Sequence, residues 1–205
     1  MVKNLLLKRK LLHHRILRKV FYRRIIDAFF VNCDSILDVG CGYGDFLRVA
    51  EMKGKTVIGV DINLQALLLL RRIGLDVVLC DVSHLPFRDR SIDGVFFSHV
   101  IEHIPQSDIG CVLKEIERIV KYNLVVVTPT EHRDFWTPGH VTSYDKDKLM
   151  SVLQEAGFLC HKVFYDKFFM LSLPDHEALC KIFNSLPFIW ARMNIVAAAT
   201  KLIIK

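Results

Sequence analysis

Apolar residues are arranged in two alternating ways along this chain of 205 residues, as short continuous runs and at helical spacing. Short, mainly apolar runs of strand length occur at 36–39, 56–60, 76–80, 92–98 and 123–128. Between most of these runs, apolar residues are three and four positions apart, which is the spacing of an amphipathic helix. Strands that alternate with helices are typical of a parallel sheet with helices on both faces. The pattern therefore predicts a doubly wound α/β domain with at least five strands.

Turn and capping residues divide the predicted helices from the strands. Gly54 and Gly74 follow apolar helical runs and read as helix stops, because glycine readily adopts the left-handed conformation that ends a helix. Asn63 and Ser107 precede such runs and read as helix caps, since their side chains accept hydrogen bonds from amides of the first turn. A further helix is predicted from about residue 145 to 156.

The first 30 residues form a segment of a different kind. Apolar residues at helical spacing alternate there with lysine and arginine, which predicts a basic amphipathic helical arm over 1–30 before a domain at 31–205. Residues 1–26 hold nine lysines and arginines and no acidic residue, so the remaining 19 basic and 22 acidic residues carry a net charge of −3. Two interpretations stay open: a lid with a solvated charged face, or a contact with an anionic membrane or nucleic acid.

Composition limits the setting in which the protein works. The six cysteines are scattered, without a Cys-x-x-Cys pair, so they are expected to be reduced and mostly buried. No uncharged apolar run reaches the roughly 18–20 residues of a membrane-spanning helix. We therefore expect a cytoplasmic protein, with peripheral contact at the inner membrane surface if the arm binds lipid.

The stretch from Ile36 to Asp61 carries the first functional signal. A short strand leads into a loop with Gly40, Gly42 and Gly44, and a second strand ends at Asp61. A carboxylate that closes the second strand, about 20 residues after the first glycine, is placed to accept hydrogen bonds from ribose hydroxyls. The sequence therefore predicts an adenosine-type ligand.

This stretch resembles motif I of the class I, Rossmann-like S-adenosylmethionine-dependent methyltransferases. Asp45 stands where a dinucleotide fingerprint requires glycine, and its charge would repel a pyrophosphate at the helix N-terminus. The cofactor of the methyltransferases has no phosphate, carries a sulfonium cation and leaves as S-adenosylhomocysteine. The resemblance implies cofactor contacts from these residues: Asp38, Gly40, Cys41, Gly42, Gly44, Asp61, Ile62, Asp81, Val82 and Ser98.

The segment from Leu85 to Ile104 closely resembles the region of the fourth strand in this family. We expect Ser98 and His99, at the carboxyl end of this strand, to face the reactive methyl group, because ligands of open α/β sheets bind beyond the carboxyl ends of the strands. The same segment also spells His99-Val-Ile-Glu102-His103, which matches the His-x-x-Glu-His zinc pattern of inverzincin peptidases. A zinc peptidase is thus a minor alternative. The strand-like residues before His99 and the proline at 105 argue against the long helix that it needs, and no metal site is predicted.

The polar, aromatic stretch 130–144 follows the fifth strand and is expected to line the substrate pocket. It contains His140, which corresponds to a histidine of many family members. If the acceptor must lose a proton, His140 is the first candidate for the general base and His99 the second. The resemblance also implies a sixth strand at 158–164 and an antiparallel seventh at 194–204, which leaves 166–193 as an apolar insertion.

The chain looks most similar to the small-molecule methyltransferases of the quinone-biosynthesis type. The predicted reaction is in-line methyl transfer to a small, apolar or lipid-like acceptor, with an anionic membrane surface as a second partner through residues 1–26. An RNA methyltransferase that uses the basic arm is the main alternative. No added RNA-binding module or aromatic stacking motif supports it.

Overall fold

The computed structural model describes residues 17–130, 138–166 and 194–202. Seven strands occur in these ranges: β1 (Ser35–Val39), β2 (Thr56–Asp61), β3 (Val77–Leu79), β4 (Ile92–Ser98), β5 (Val120–Pro129), β6 (Phe158–Asp166) and β7 (Asn194–Lys201). The helices are α1 (17–29), α2 (Asp45–Met52), α3 (Leu64–Arg72), α4 (Ile109–Ile119) and α5 (Lys146–Glu155), with a 3₁₀ turn at Ile101–His103.

The seven strands form one sheet in the order β3-β2-β1-β4-β5-β7-β6. The first five strands pair in parallel, whereas β7 runs antiparallel to both β5 and β6. This confirms the predicted mostly parallel, doubly wound sheet and its antiparallel last strand. The chain moves outward from β1 in one direction to β3 and then in the other direction to β4, so β1 and β4 flank the switch point where open α/β sheets bind ligands.

Helices cover both faces of the sheet, and each face has its own apolar core. Helices α4 and α5 pack on one face and α1, α2 and α3 on the other. Strand β5 serves both cores, because alternate side chains of a strand point to opposite faces. Leu124 and Val126 enter the first core, while Val125 and Val127 enter the second.

Several predicted boundaries differ from the structure. Strand β5 begins at Val120 rather than at 123, because its first residue already pairs with Ile92 of β4 ahead of a register shift. The N-cap of α4 is Asp108 instead of Ser107, whose hydroxyl donates to the Asp108 carboxylate at 2.8 Å. Most of the predicted insertion at 166–193 lies outside the described residues, as do the last residues of the chain.

Helix α1, the described part of the predicted arm, packs against the sheet. Phe21, Ile25 and Ile26 are at most 1% exposed and belong to the core that includes α2. The remainder of the arm, residues 1–16, lies outside the described residues. Every helix in the described ranges is too short or too polar to cross a bilayer. The domain boundary at residue 30 stays a prediction.

Candidate functional site

A cavity of about 580 Å³ opens at the carboxyl ends of the parallel strands. The register explains why these ends meet, since Val39 of β1 lies level with Val60 of β2 and Phe97 of β4. Its wall consists of Val39, Gly40, Gly42, Val60, Asp61, Ile62, Cys80, Asp81, Val82, Ser83, His99, Val100, His103, Ile104, Pro105, Asp108 and Val112.

The glycine loop after β1 lies close to the chain that leaves β4. Gly40 has φ +74°, and a Cβ atom there would come within 2.1 Å of Val100 Cγ2. Only glycine combines this backbone conformation with such a close approach. The Gly40 amide also donates to Val60 O at 2.8 Å, which holds the loop against the end of β2.

Asp61 is placed as the sequence predicts, at the end of β2 and in the cavity wall. Its Oδ2 accepts a hydrogen bond from the Gly42 amide and its Oδ1 accepts one from the Asn63 amide, both at 2.8 Å. Each carboxylate oxygen has a second lone pair. The two amides therefore fix the orientation of the carboxylate and leave acceptor capacity for a diol such as ribose.

Asp38 lies one layer deeper, at 3% exposure inside β1. Burial first, and then the charge of Asp61, raises the pKa of the Asp38 carboxyl well above its usual range. A cation nearby favours the ionised form of a carboxyl. The pair of carboxyls under the glycine loop therefore suits a ligand that carries positive charge, such as a sulfonium or an ammonium group.

Asp81 and Val82 stand where β3 has ended. The Asp81 carboxylate accepts hydrogen bonds from the Ser83 amide at 2.8 Å and from the Ser83 hydroxyl at 2.7 Å. These hydrogen bonds lower the pKa of Asp81, so this carboxyl stays ionised at neutral pH. An ionised, oriented acceptor at this point can receive a hydrogen bond from an exocyclic amine.

The chain turns sharply at His99, directly after β4. His99 has φ +56°, an uncommon conformation for a residue with a side chain. Its Nδ1 lies 3.3 Å from Oε1 of the buried Glu102. The zinc-peptidase interpretation lacks the long helix that it needs, because His99 follows β4 and Glu102 and His103 lie in a 3₁₀ turn.

The predicted site residues fall into two groups. The cavity wall contains Gly40, Gly42, Asp61, Ile62, Asp81, Val82 and His99. The wall does not contain Asp38, Cys41, Gly44, Ser98 or His140. Cys41 packs behind the loop against Gly59 of β2, and Gly44 packs against Leu70 of α3. Contact of any of these residues with a cofactor stays a prediction.

His140 lies beside His103, with the two ring centroids 4.7 Å apart. Hydrogen bonds hold its loop, because the Val141 and Thr142 amides both donate to Glu102 O, at 2.8 and 3.1 Å. Residues 131–137 of the same loop lie outside the described residues, so the pocket predicted for 130–144 is described only in part.

The structure adds site residues that the sequence pattern did not indicate. Val100, His103 and Asp108 line the cavity. Tyr22 of α1 is 8% exposed and packs edge-on against Phe46 and Phe96. Burial first, and then the charge of Asp38, raises the pKa of the Tyr22 hydroxyl. A histidine at the end of an apolar strand was the available signal for the β4 turn. Nothing in the spacing indicated Tyr22.

Helix α1 also contacts the start of α2, the helix that follows the glycine loop. Arg18 pairs with Asp45 at 3.1 Å, and Arg48 is 3.9 Å from the same carboxylate. Asp45 therefore has cationic neighbours at a helix N-terminus, where its negative charge is also favourable. The described part of the arm thus covers the back of the glycine loop.

An open sheet with this glycine loop, a carboxylate closing β2 and a cavity at the switch point defines a Rossmann-like domain that binds adenosine-containing ligands. A protein-family model described as a methyltransferase domain matches residues 37–127. A crystal structure of a SAM-dependent methyltransferase from Archaeoglobus fulgidus superposes with a TM-score of 0.73 and 25% identity, covering 91% of this chain and 94% of that one.

Curated relatives agree with this assignment. A probable S-adenosylmethionine-dependent methyltransferase of Mycobacterium tuberculosis is 28% identical over 151 residues, which cover 69% of this chain and 54% of the relative. The 18S rRNA (guanine-N(7))-methyltransferase bud23 of Schizosaccharomyces pombe is 36% identical over 80 residues, which cover 37% of this chain and 30% of the relative. The chain thus spans about half the length, or less, of these relatives.

Residues 37–127 therefore match a methyltransferase domain, and the described fold is similar to that of S-adenosylmethionine-dependent methyltransferases, whose cofactor is S-adenosylmethionine. The residues present fit this cofactor. Gly42 lines the cavity with open space where a side chain would stand, which suits a closely packed ligand, and the oriented Asp61 carboxylate in the same wall suits a ribose.

Proposed function

We propose that this protein transfers the methyl group of S-adenosylmethionine to a small, apolar or lipid-like acceptor. One observation carries the proposal: the wall of one cavity of about 580 Å³ combines the glycine loop, Asp61 and Asp81 with apolar side chains that follow β4. Cavities of about 300–1,000 Å³ hold ligands of drug-like size. The space therefore suits a cofactor with a modest acceptor better than a folded macromolecule.

The cofactor part of the wall is formed by the glycine loop, Asp61 and the residues after β3. Asp61 would bind the ribose hydroxyls, and Asp81 with the Val82 amide would bind the adenine edge. Bound in this way, the cofactor supplies an already activated methyl group. The chain contributes orientation and exclusion of water, which are effective in a displacement whose leaving group is neutral.

The acceptor part of the wall is formed by residues that follow β4. Val100, Ile104, Pro105 and Val112 supply apolar surface, which favours an acceptor with a hydrophobic body. His99 lies among them in the wall, whereas His140 does not. We therefore propose His99, rather than His140, as the histidine that contacts the acceptor.

Two measurements test this function. Mass spectrometry of the purified protein should find retained S-adenosylmethionine or S-adenosylhomocysteine, and calorimetry should detect binding of the latter. Incubation with labelled S-adenosylmethionine and an extract of small molecules, fractionated into lipids and polar metabolites, should label the lipid fraction. A protein that binds neither cofactor form overturns the methyltransferase proposal, and label confined to polar metabolites overturns the apolar acceptor.

A second candidate is methyl transfer to RNA. The observation that favours it is the 36% identity to the rRNA methyltransferase of S. pombe, although over only 80 residues. Backbone recognition of RNA depends on counterion release and weakens steeply with salt. Label transferred to total RNA, together with RNA binding that is lost when residues 1–16 are deleted, would replace the small-molecule proposal.

We further propose that the basic arm brings the protein to an anionic membrane surface. Each lysine or arginine near such a surface contributes about 1 kcal/mol. Phe21 of the arm does not face lipid, because its side chain is buried in the core. Apolar contact would have to come from residues 1–16, which include Leu12 and Ile16.

Liposome co-sedimentation separates the uses of the arm. We expect the full chain to sediment with anionic vesicles at low salt, and deletion of residues 1–16 to abolish sedimentation. Replacing Leu12 and Ile16 with serine should weaken binding to vesicles but leave binding to RNA unchanged. If the full and shortened chains sediment equally, or if neither sediments, the membrane proposal is wrong and the arm is a lid.

A further inference from the structure

Three potential metal ligands from two distant parts of the chain converge beside the cavity. Glu102, His103 and His140 each offer one ligand atom, and these atoms all lie within 4.8 Å of one another. His103 also lines the cavity. Two ligand atoms bound to a tetrahedral ion at about 2.1 Å are about 3.4 Å apart, so modest side-chain rotation would bring the three into coordination.

The surroundings of these side chains resemble the second layer of groups that metal ligands need. His103 Nδ1 lies 2.9 Å from Gly139 O. A carbonyl oxygen only accepts, so Nδ1 carries the proton and Nε2 keeps its lone pair. A hydrogen bond from the other ring nitrogen to a backbone carbonyl is the usual way in which a metal-binding histidine is oriented.

Glu102 is a buried carboxylate that few neighbouring groups stabilise. It is 2% exposed, its Oε2 accepts from the Thr128 hydroxyl at 3.1 Å, and its Oε1 receives no hydrogen bond from the described residues. The one ion pair that the described residues give it is with the His99 ring, at 3.3 Å. A buried carboxylate is expensive unless a cation or hydrogen bonds compensate it.

The loop that carries His140 is held against the 3₁₀ turn by backbone hydrogen bonds. The Val141 and Thr142 amides donate to Glu102 O, and the Thr142 hydroxyl donates to Ile104 O at 2.8 Å. The relative positions of His140, Glu102 and His103 are therefore set by the main chain. Such preorganisation is what a metal centre requires of its supporting structure.

We propose that Glu102, His103 and His140 bind one divalent transition-metal ion of the Zn²⁺ or Co²⁺ type. Two imidazoles and one carboxylate match the ligand preference of these ions. Three protein ligands leave a coordination position for water or for a substrate atom on the cavity side, a consequence that rests on the proposed methyl transfer. Ligation would occupy the ring nitrogen of His140 and remove it from proton transfer.

Metal binding is measured on the full chain after treatment with a chelator, without any activity assay. We expect one Co²⁺ per chain with visible d–d absorption, displaced by Zn²⁺. His103→Ala and His140→Ala should each lower affinity by at least about 100-fold, beyond the loss typical of residues that only orient a ligand. Glu102→Gln, which can still accept from Thr128, should also weaken binding.

Matched controls show whether the ion uses these residues. His84→Ala, His161→Ala and Cys111→Ser change side chains that are of metal-binding types but lie elsewhere on the described surface. They should leave the affinity for the metal ion unchanged. Zn²⁺ should raise the thermal unfolding temperature of the native chain and of the controls but not that of His140→Ala, because a ligand stabilises only the state that binds it. Binding that is absent from the native chain, or that survives in both cluster histidine variants, overturns the proposal. If the native chain binds the metal ion but transfers no methyl group, the proposed function is wrong and the metal site stands.

Discussion

The carboxylate of Asp61 accepts a hydrogen bond of 2.8 Å from the amide of Gly42. This contact joins the end of β2 to the glycine loop that follows β1, so the two parts of the predicted cofactor site are held together before any ligand binds. A carboxylate fixed in this way does not have to be ordered when ribose arrives. The order already present in the chain lowers the entropic cost of binding.

We predict that Asp61→Ala lowers affinity for S-adenosylhomocysteine by about 30-fold to nearly 1,000-fold. Two hydrogen bonds from ribose to a charged acceptor, at about 1.5–3 kcal/mol each and not fully additive, correspond to a loss of about 2–4 kcal/mol. Titration calorimetry measures the change. Asp34→Ala is the control and should bind normally, because Asp34 is exposed and precedes β1, at the end of the strand opposite the cavity. Unchanged affinity in Asp61→Ala would remove this residue from the site.

We predict that Gly40→Ala destabilises the protein more than Gly54→Ala does. Both glycines have nearly the same φ, +74° and +73°, so the backbone strain of the two alanines is matched. At Gly54 nothing lies within 4 Å of the added Cβ, whereas at Gly40 the Val100 side chain lies 2.1 Å away. Overpacking adds about 1–3 kcal/mol to the strain at Gly40 alone.

Urea unfolding of the two glycine variants measures this difference. A second variant that combines Gly40→Ala with Val100→Ala removes the side chain that would clash and should recover part of the lost stability. If the two single variants unfold at the same urea concentration, the Val100 side chain does not restrict position 40 and the prediction is wrong.

We predict that Asp93 stabilises the fold at neutral pH and ceases to do so in acid. Burial raises the pKa of Asp93, but hydrogen bonds from Lys121 and from Ser35 outweigh burial and bring the pKa to about 2. A carboxyl whose pKa is lower in the folded chain adds stability above its unfolded pKa, near 3.9, and loses it as pH falls through the folded value. The expected contribution at pH 7 is about 2 kcal/mol.

The Asp93→Asn variant provides the measurement. Chemical unfolding of the native chain and the variant should differ by about 2 kcal/mol at pH 7, and the difference should shrink between about pH 4 and pH 2. A constant difference over this range would show that loss of charge does not explain the effect. Asp76→Asn, an exposed aspartate next to β3, serves as the control.

We predict that helix α1 is required for stability and residues 1–16 are not. Phe21→Ala removes a fully buried ring and should cost about 3–5 kcal/mol. Arg23→Ala, on the exposed side of the same helix, should change stability by less than about 0.5 kcal/mol. Thermal unfolding of these variants and of a chain that lacks residues 1–16 tests the prediction. The prediction is contradicted if Phe21→Ala unfolds cooperatively at the same temperature as the native chain.

The sequence by itself determined the elements and their order. A short, mainly apolar run predicted β4 at 92–98 as observed, because a buried strand needs consecutive apolar residues. Gly40, Gly42 and Asp61 were also readable, since a tight approach and a carboxylate at a strand end restrict which residues can serve. The seventh strand and its antiparallel direction came from the family resemblance.

Only the tertiary structure decided which side chains meet. His103 Nδ1 bonds to Gly139 O across 36 positions of sequence, and no local period records a contact of that range. The positive φ of His99 redirects the chain so that Val100 meets Gly40. The apolar stripe of the arm, which includes Phe21, does not by itself show what covers it, because an amphipathic helix has the same stripe whether a bilayer or a protein core lies against it. The folded sheet supplies the cover, and the stripe is buried.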